Sequence, residues 1–546
     1  MARFSPSGYY VASGDVTGMV RVWDAVEAIN TKGEYAIISG RIADVAWDGD
    51  SARIIAVGDG RERFGHCFTA DSGNSVGEVS GHSKVVNAVA MRQQRPLRAA
   101  TVSDDGSMCF LHGAPFKFAN KSSDLHKGFV YGAAFSPDGA VLVTVGADRR
   151  IQLYDGKTGE PTTAVGEGVH TGSIFAVSWA KDSKRFVTAS ADQTVRVWDA
   201  QSGENVQTWR LGPEGSVSVP DQQVGVVWPH GRTDGLIISL SLDGDLNYLV
   251  EGSEKPIKVV QGHNKSVMTL ANSSDGKGQS LYTGSFDGRV CNWDLSTGTG
   301  AAVDGQTHTN QVTQFTAASG RAYSVGWDDT LRIIDESANT FAGSSLKLAA
   351  QPKGVAASKG RVIVAQNNGL TIYDPKDGRD KIFDTGFTPT SIAASGEFVA
   401  VGSDDNTVHV YVFDSSNELR ESTTLRNSTS QISALSFSKD GRHLAVGSSS
   451  GKIIVYKTAS WDVATDRWSS HTARVTSIAW NDEGTHAASG GLDTNLFVWS
   501  LAKPGSRVKA LNAHKDGVNG VAWVDGGIAS TGGDAAIKIW KVSGLQ

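Results

Sequence analysis

The stretch ASADQTVRVWDA, residues 189–200, decides the fold. Asp192 precedes Trp198 by six positions, Ser190 and Thr194 lie close by, and His170 stands upstream. Ser, His and Asp in one window is the composition of a nucleophilic triad. The rest of the chain points elsewhere, because the arrangement returns many times. GVHTGSIFAVSWAKDSKRFVTASADQTVRVWDA (168–200) aligns with DLHKGFVYGAAFSPDGAVLVTVGADRRIQLYDG (124–156). It aligns equally with SSHTARVTSIAWNDEGTHAASGGLDTNLFVWSL (469–501) and NAHKDGVNGVAWVDGGIASTGGDAAIKIWKV (512–542). A catalytic device is needed once, whereas a fastening recurs with every unit it holds.

Each unit runs in the same order: a His, an alternating apolar run, a turn, a second run, an Asp, and a third run ending in an aromatic. The Asp-to-aromatic step of six recurs at Asp148/Tyr154, Asp287/Trp293, Asp405/Tyr411, Asp493/Trp499 and Asp534/Trp540. Seven of the thirteen histidines, from His82 to His514, share one slot. Runs such as TVRVWD and GKIIVY alternate with period two, the pattern of strands with one buried face. The Gly- and Asp-rich pieces between them predict hairpin turns. This grammar resembles the WD repeat, which spans about 40–45 residues and builds one four-stranded propeller blade. The resemblance implies that His170, Ser190, Asp192 and Trp198 form a hydrogen-bonded chain inside a blade. That is physically sensible: Asp caps a tight turn and accepts from His, and a buried indole N–H needs an acceptor.

Thirteen repeats can be counted, their third runs ending near residues from Trp23 to Trp540. The eighth (VGWDDTLRIID) and ninth (AQNNGLTIYD) are degenerate. Propellers typically hold about 4–8 blades, so two rings are expected. ARFSPSG (2–8) matches the second half of VYGAAFSPDG (130–139), as though the chain opened in mid-strand. An unmatched half-strand exposes an edge, which proteins usually avoid. The expectation is therefore an all-β chain of two WD-repeat β-propellers in tandem. Residues 1–255 would form an N-terminal ring lacking its first blade, and residues 256–546 a seven-bladed ring, with the boundary near EGSEKPIKVVQGH (251–263).

Bulk properties narrow the function. The 546 residues are 39% hydrophobic and 20% charged, with a net charge of −6. A nucleic-acid binder shows a basic stripe for phosphate contact, and none is present. Cys67, Cys109 and Cys291 are too far apart for a disulfide framework or zinc site, which predicts a reducing compartment. MARFSPSGYYVASGDV has no apolar signal core, and no run approaches the roughly 20 apolar residues of a membrane helix. A cytoplasmic protein is expected. GDGRERFG (58–65) lacks the Gly-Lys-Ser/Thr ending of a phosphate loop. With no helical metal motif or nucleophile elbow either, the reading is a non-enzyme without catalytic residue, metal or cofactor.

A binding site must then sit where the grammar breaks. The fifth position after the repeat His is small or polar at Asn87, Thr313, Thr476 and Asn519, but becomes Tyr131 and Phe175 in the fourth and fifth repeats. Phe129 stands two residues before Tyr131. Adjacent exposed aromatics are typical interface anchors. Asp124, Glu160 and Glu167 lie in the loops leading into these strands, where acids can orient a basic partner.

The text between grammar points carries a finer resemblance. DSGNSVGEVSGHSKVVNAV (71–89), APFKF (114–118), DQQVGVV (221–227), SLDGDLNYL (241–249) and ALNAHKDGVN (510–519) resemble the actin-interacting protein 1 family, in order, from Phe4 to Val542. That resemblance implies two seven-bladed propellers joined like an open clamshell. It implies binding to cofilin-decorated actin filaments, promotion of their severing and disassembly, and limited regrowth, all without a cofactor. The family's functional patch contains the aromatic of a His-x-Gly-Ser-hydrophobic-Phe stretch, here HTGSIF and so Phe175. The acids match less closely. Leu125 precedes His126 where an acid is expected, with Asp124 one place earlier, and the loop carrying Glu167 is shortened. Apart from this resemblance, the repeats alone predict a generic WD scaffold for other protein complexes.

Overall fold

The computed structural model describes residues 1–27, 31–213, 215, 217–274, 278–414 and 418–543. Among these residues the chain is all-β, arranged as thirteen antiparallel meanders, twelve of four strands and one of three. Each counted repeat supplies one sheet. The fold is that of WD-repeat propeller blades.

The fifth blade shows why the sequence folds this way. Its strands are Ile174–Trp179, Arg185–Ser190, Thr194–Asp199 and Asn205–Arg210. RFVTAS is buried from its second residue onward, whereas NVQTWR exposes alternate residues on the outer edge. The inner strands are covered on both faces by neighbouring blades, so their runs are nearly continuously apolar. Val143, Val145 and Ile151 of the fourth blade accordingly pack with Trp179, Phe186 and Trp198 of the fifth. The core thus lies between sheets rather than within one. Between the second and third strands Gln193 adopts φ 67°, and Asp192 Oδ1 steadies the turn by accepting from the Thr194 amide at 3.0 Å.

The repeated polar residues form the expected chain, with one correction. His170 Nδ1 lies 2.8 Å from Asp192 Oδ2, and His170 Nε2 lies 2.8 Å from Thr188 Oγ1. The Trp198 indole N–H donates to the same Thr188 Oγ1 at 2.9 Å. The hydroxyl in the chain is therefore Thr188, not Ser190. Ser190 Oγ instead donates to the Gly172 carbonyl at 3.1 Å and accepts from the Asp192 amide, bracing the turn. Burial alone would raise the Asp192 pKa, but the hydrogen bond and charge of His170, with Thr194, outweigh it and hold the carboxyl well below its usual range. His471, Ser489, Asp493 and Trp499 repeat the pattern, as do His514, Ser530, Asp534 and Trp540. In the seventh blade it is broken. Asp287 accepts from Ser285, His263 Nδ1 has no partner, and burial pushes the His263 pKa down to about 4.

The chain divides into two compact units, Met1–Val259 and Val260–Gln546. The second contains seven sheets, and its last innermost strand, Val518–Val524, packs beside its first, Val267–Asn272. Asn519 Nδ2 donates to the Val267 carbonyl at 2.9 Å and Asn272 Nδ2 to the Trp523 carbonyl at 2.7 Å, which closes that ring. The first unit contains six sheets. Its first innermost strand, Ala2–Phe4, is exposed throughout, as are Val227 and Leu240 of the sixth sheet. Among the described residues, no strand packing comparable to the second ring's closure joins Ala2–Phe4 to Gln223–Val227.

Candidate protein-interaction site

The position that breaks the repeat grammar has a backbone cause. In twelve of the thirteen sheets the register between the innermost strand and the next slips by one residue near the strand's start. Such a bulge leaves one residue outside the ladder and re-aims its side chain. In the first unit the extra residues are Ala43, Asn87, Tyr131, Phe175 and Val224.

At four of the blades a small polar bulge residue, Asn87, Ser433, Thr476 or Asn519, stitches its blade to the next. Asn87 Nδ2 donates to the Val130 carbonyl at 2.9 Å, Ser433 Oγ to the Val475 carbonyl at 2.7 Å, and Thr476 Oγ1 to the Val518 carbonyl. Tyr131 and Phe175 have no side-chain group suited to that stitch at the ring position. Their rings meet instead, with centroids 5.3 Å apart at 40°, a tilted packing that favours aromatic pairs. Phe129 joins edge-on to Tyr131 at 6.3 Å and is 44% exposed. Three aromatics from two adjacent blades thus form one partly exposed cluster.

Two charged groups border it that spacing alone does not single out. Lys84 Nζ lies 5.9 Å from the Phe129 ring centroid, within reach of a cation–π attraction. Asp104 is held by Asn87 Nδ2 at 2.7 Å. Burial, with the Asp104 charge adding to it, pushes the Tyr131 hydroxyl pKa up. The acids expected from sequence are placed less tightly. Asp124 is exposed in the loop before Val130–Phe135 and makes no ion pair among the described residues. Leu125 turns inward against the cluster containing Phe110 and Val130, which leaves Asp124 at the surface. Glu167 is exposed and pairs with Arg150 of its own chain at 3.5 Å. The aromatics come together, while Asp124 stays at the surface and Glu167 is held by Arg150.

A cluster of this kind offers desolvated anchor area with rigid, low-entropy side chains. Its polar surroundings do not converge on a metal: among the described residues no group of three or more His, Cys, Asp or Glu is placed to hold one. Cys109 is buried, and that burial pushes its thiol pKa up to about 12, away from reactive thiolate chemistry.

Comparison with known proteins bears on the fold and the family. The WD domain, G-beta repeat model matches residues 1–24, 121–155, 167–199, 254–294 and 505–541, and the Vps8 beta-propeller model matches residues 383–506. The chain is 46% identical over 477 residues to an uncharacterised WD repeat-containing protein of Schizosaccharomyces pombe, covering 86% of this chain and 77% of that one. It is 38% identical to WD repeat-containing protein 1 of Gallus gallus over 84% of this chain and 74% of the relative. Actin-interacting protein 1 of Drosophila melanogaster is 36% identical over 86% of this chain and 76% of its own length. The chain belongs to the actin-interacting protein 1 family. The WD repeat model's matches at 121–155 and 167–199 cover the fourth and fifth repeats, which carry the aromatic cluster.

Proposed function

We propose that this chain binds actin filaments carrying cofilin, promotes their severing and disassembly, and limits regrowth from the new ends. Relatives from Drosophila melanogaster and Caenorhabditis elegans bear the name actin-interacting protein 1, which supports actin as the partner. The single observation that carries the site assignment is the packed Phe129–Tyr131–Phe175 cluster. It stands at the position where Asn87, Ser433 and Thr476 of other blades spend their side chains on the fold. In this reading Phe175 and Tyr131 are anchors, Asp124 is a free orienting charge, and Glu167 contributes after releasing Arg150. The work is done by differential affinity: tighter binding to a distorted or broken filament than to an intact one shifts the population toward breakage. No nucleic acid, membrane, small-molecule substrate or cofactor takes part, and the setting is the cytoplasmic actin cytoskeleton.

The test is filament sedimentation with the purified chain, with and without cofilin, scoring actin left in the supernatant. A rise that requires cofilin and is lost in Phe175→Ala, with the unfolding midpoint of the variant unchanged, supports the proposal. No rise in any condition refutes it and favours a WD scaffold for other complexes. Full activity in Phe175→Ala removes the cluster from the site.

A further inference from the structure

The seven-sheet unit presents different chemistry at its own bulge positions. Its innermost strands surround a cavity of about 210 Å³. Two cations line it: Lys353, the bulge residue of Pro352–Ser358, and Arg474, which precedes Val475–Trp480. They belong to the third and sixth sheets of a seven-membered ring, as far apart around the channel as that ring allows. No acidic side chain lines the cavity among the described residues. Among the described residues neither cation makes an ion pair, and Lys353 Nζ donates to the neutral Gln351 Oε1 at 3.3 Å.

The hydroxyls complete the picture. Thr313 Oγ1, Thr390 Oγ1 and Ser391 Oγ all belong to lining residues, and all three atoms are buried without a hydrogen-bond partner. Ser391 itself is only 8% exposed. An unpaired buried hydroxyl forfeits its hydrogen bonds to water, so three of them around one cavity call for a common acceptor. Like charges sharing a small polar space also favour a counter-ion. Hydroxyl O–H groups, an ammonium and a guanidinium are all donors to phosphate oxygens. Sites for drug-sized ligands run to about 300–1,000 Å³, larger than this one.

We propose that the channel cavity of residues 260–546 is a binding site for a small phosphate anion, orthophosphate or pyrophosphate in size. Lys353 and Arg474 hold it from opposite sides, and Thr313, Thr390 and Ser391 donate to its oxygens. The site is independent of the aromatic cluster, so its test is independent of the actin assay.

Isothermal titration of the full chain with sodium pyrophosphate at constant ionic strength tests this. The expected result is one saturable site, weakened at least tenfold in Lys353→Gln and in Arg474→Gln. Lys347→Gln, which changes an exposed lysine outside the cavity, should leave affinity unchanged. Each variant's denaturant midpoint without anion checks its fold. If a charge variant does not fold, Thr390→Val carries the test, because it removes one hydroxyl and no charge. Several-fold weaker binding then supports the site, and unchanged affinity overturns it. No saturable heat with the unaltered chain, or equal affinity in both charge variants, also overturns it.

Discussion

Replacing Thr188 by Val is the sharpest probe of what fastens a blade. The side chains are nearly the same shape, and Thr188 is fully buried, so packing is preserved. What disappears is the oxygen shared by His170 Nε2 at 2.8 Å and Trp198 Nε1 at 2.9 Å. The variant leaves an indole N–H and an imidazole nitrogen buried and unpaired, at about 1–3 kcal/mol each. Burying a methyl in place of the hydroxyl returns about 1 kcal/mol. The expected net loss is about 3 kcal/mol. Urea unfolding followed by far-UV circular dichroism measures it, and hydrogen exchange on peptides covering 174–210 reports whether the fifth blade opens first. Trp198→Phe provides the internal control. It deletes the orphaned N–H, so it should cost about 1–2 kcal/mol less in the Thr188→Val background than in the unaltered chain. A loss below about 0.5 kcal/mol, or the same cost of Trp198→Phe in both backgrounds, would show that the shared hydroxyl is not what holds His170 and Trp198.

Two further outcomes are expected. His263, held at about 4 against an ordinary 6.5, favours its neutral form in the fold, so its contribution is complete above pH 6.5 and is lost as pH falls through 4. Between pH 6.5 and 4.5 the unaltered chain should therefore lose about 2 kcal/mol more than His263→Gln in denaturant titrations, and parallel curves would rule this out. Arg149 is exposed with φ 66° in a tight turn. Asn tolerates that region better, so Arg149→Asn should raise the thermal midpoint by the equivalent of up to about 1 kcal/mol, and a fall would mean the arginine side chain contributes more than its backbone strain costs.

Much of this architecture is written in local spacing, and what is not local is what the sequence hides. The thirteen sheets are legible because each repeat places its own turn, acid and aromatic within about 40–45 residues. Counting from the repeat His also reaches Tyr131 and Phe175. The 5.3 Å meeting of their rings depends on how two blades dock, and no single repeat encodes that. Ser190 and Thr188 share one face of one strand, so alternation alone does not say which hydroxyl meets His170. Glu167 reads as a free acid until Arg150 comes alongside it. Lys84 stands over Phe129 from a neighbouring blade, a contact across more than forty residues of chain.

The register slip at the start of the innermost strands has a consequence for how such a chain diversifies. A residue outside the ladder carries no cross-strand partner, so exchanging it disturbs neither pairing nor alternation. Where that residue does not stitch its blade to the next, as at Phe175 and Lys353, its chemistry is nearly uncoupled from strand pairing. A benzyl group at 175 and an ammonium at 353 occupy the same address in different blades. The ring mouth works like a keyboard with one key per repeat: single substitutions can rewrite what it recognises while the instrument itself stays in tune.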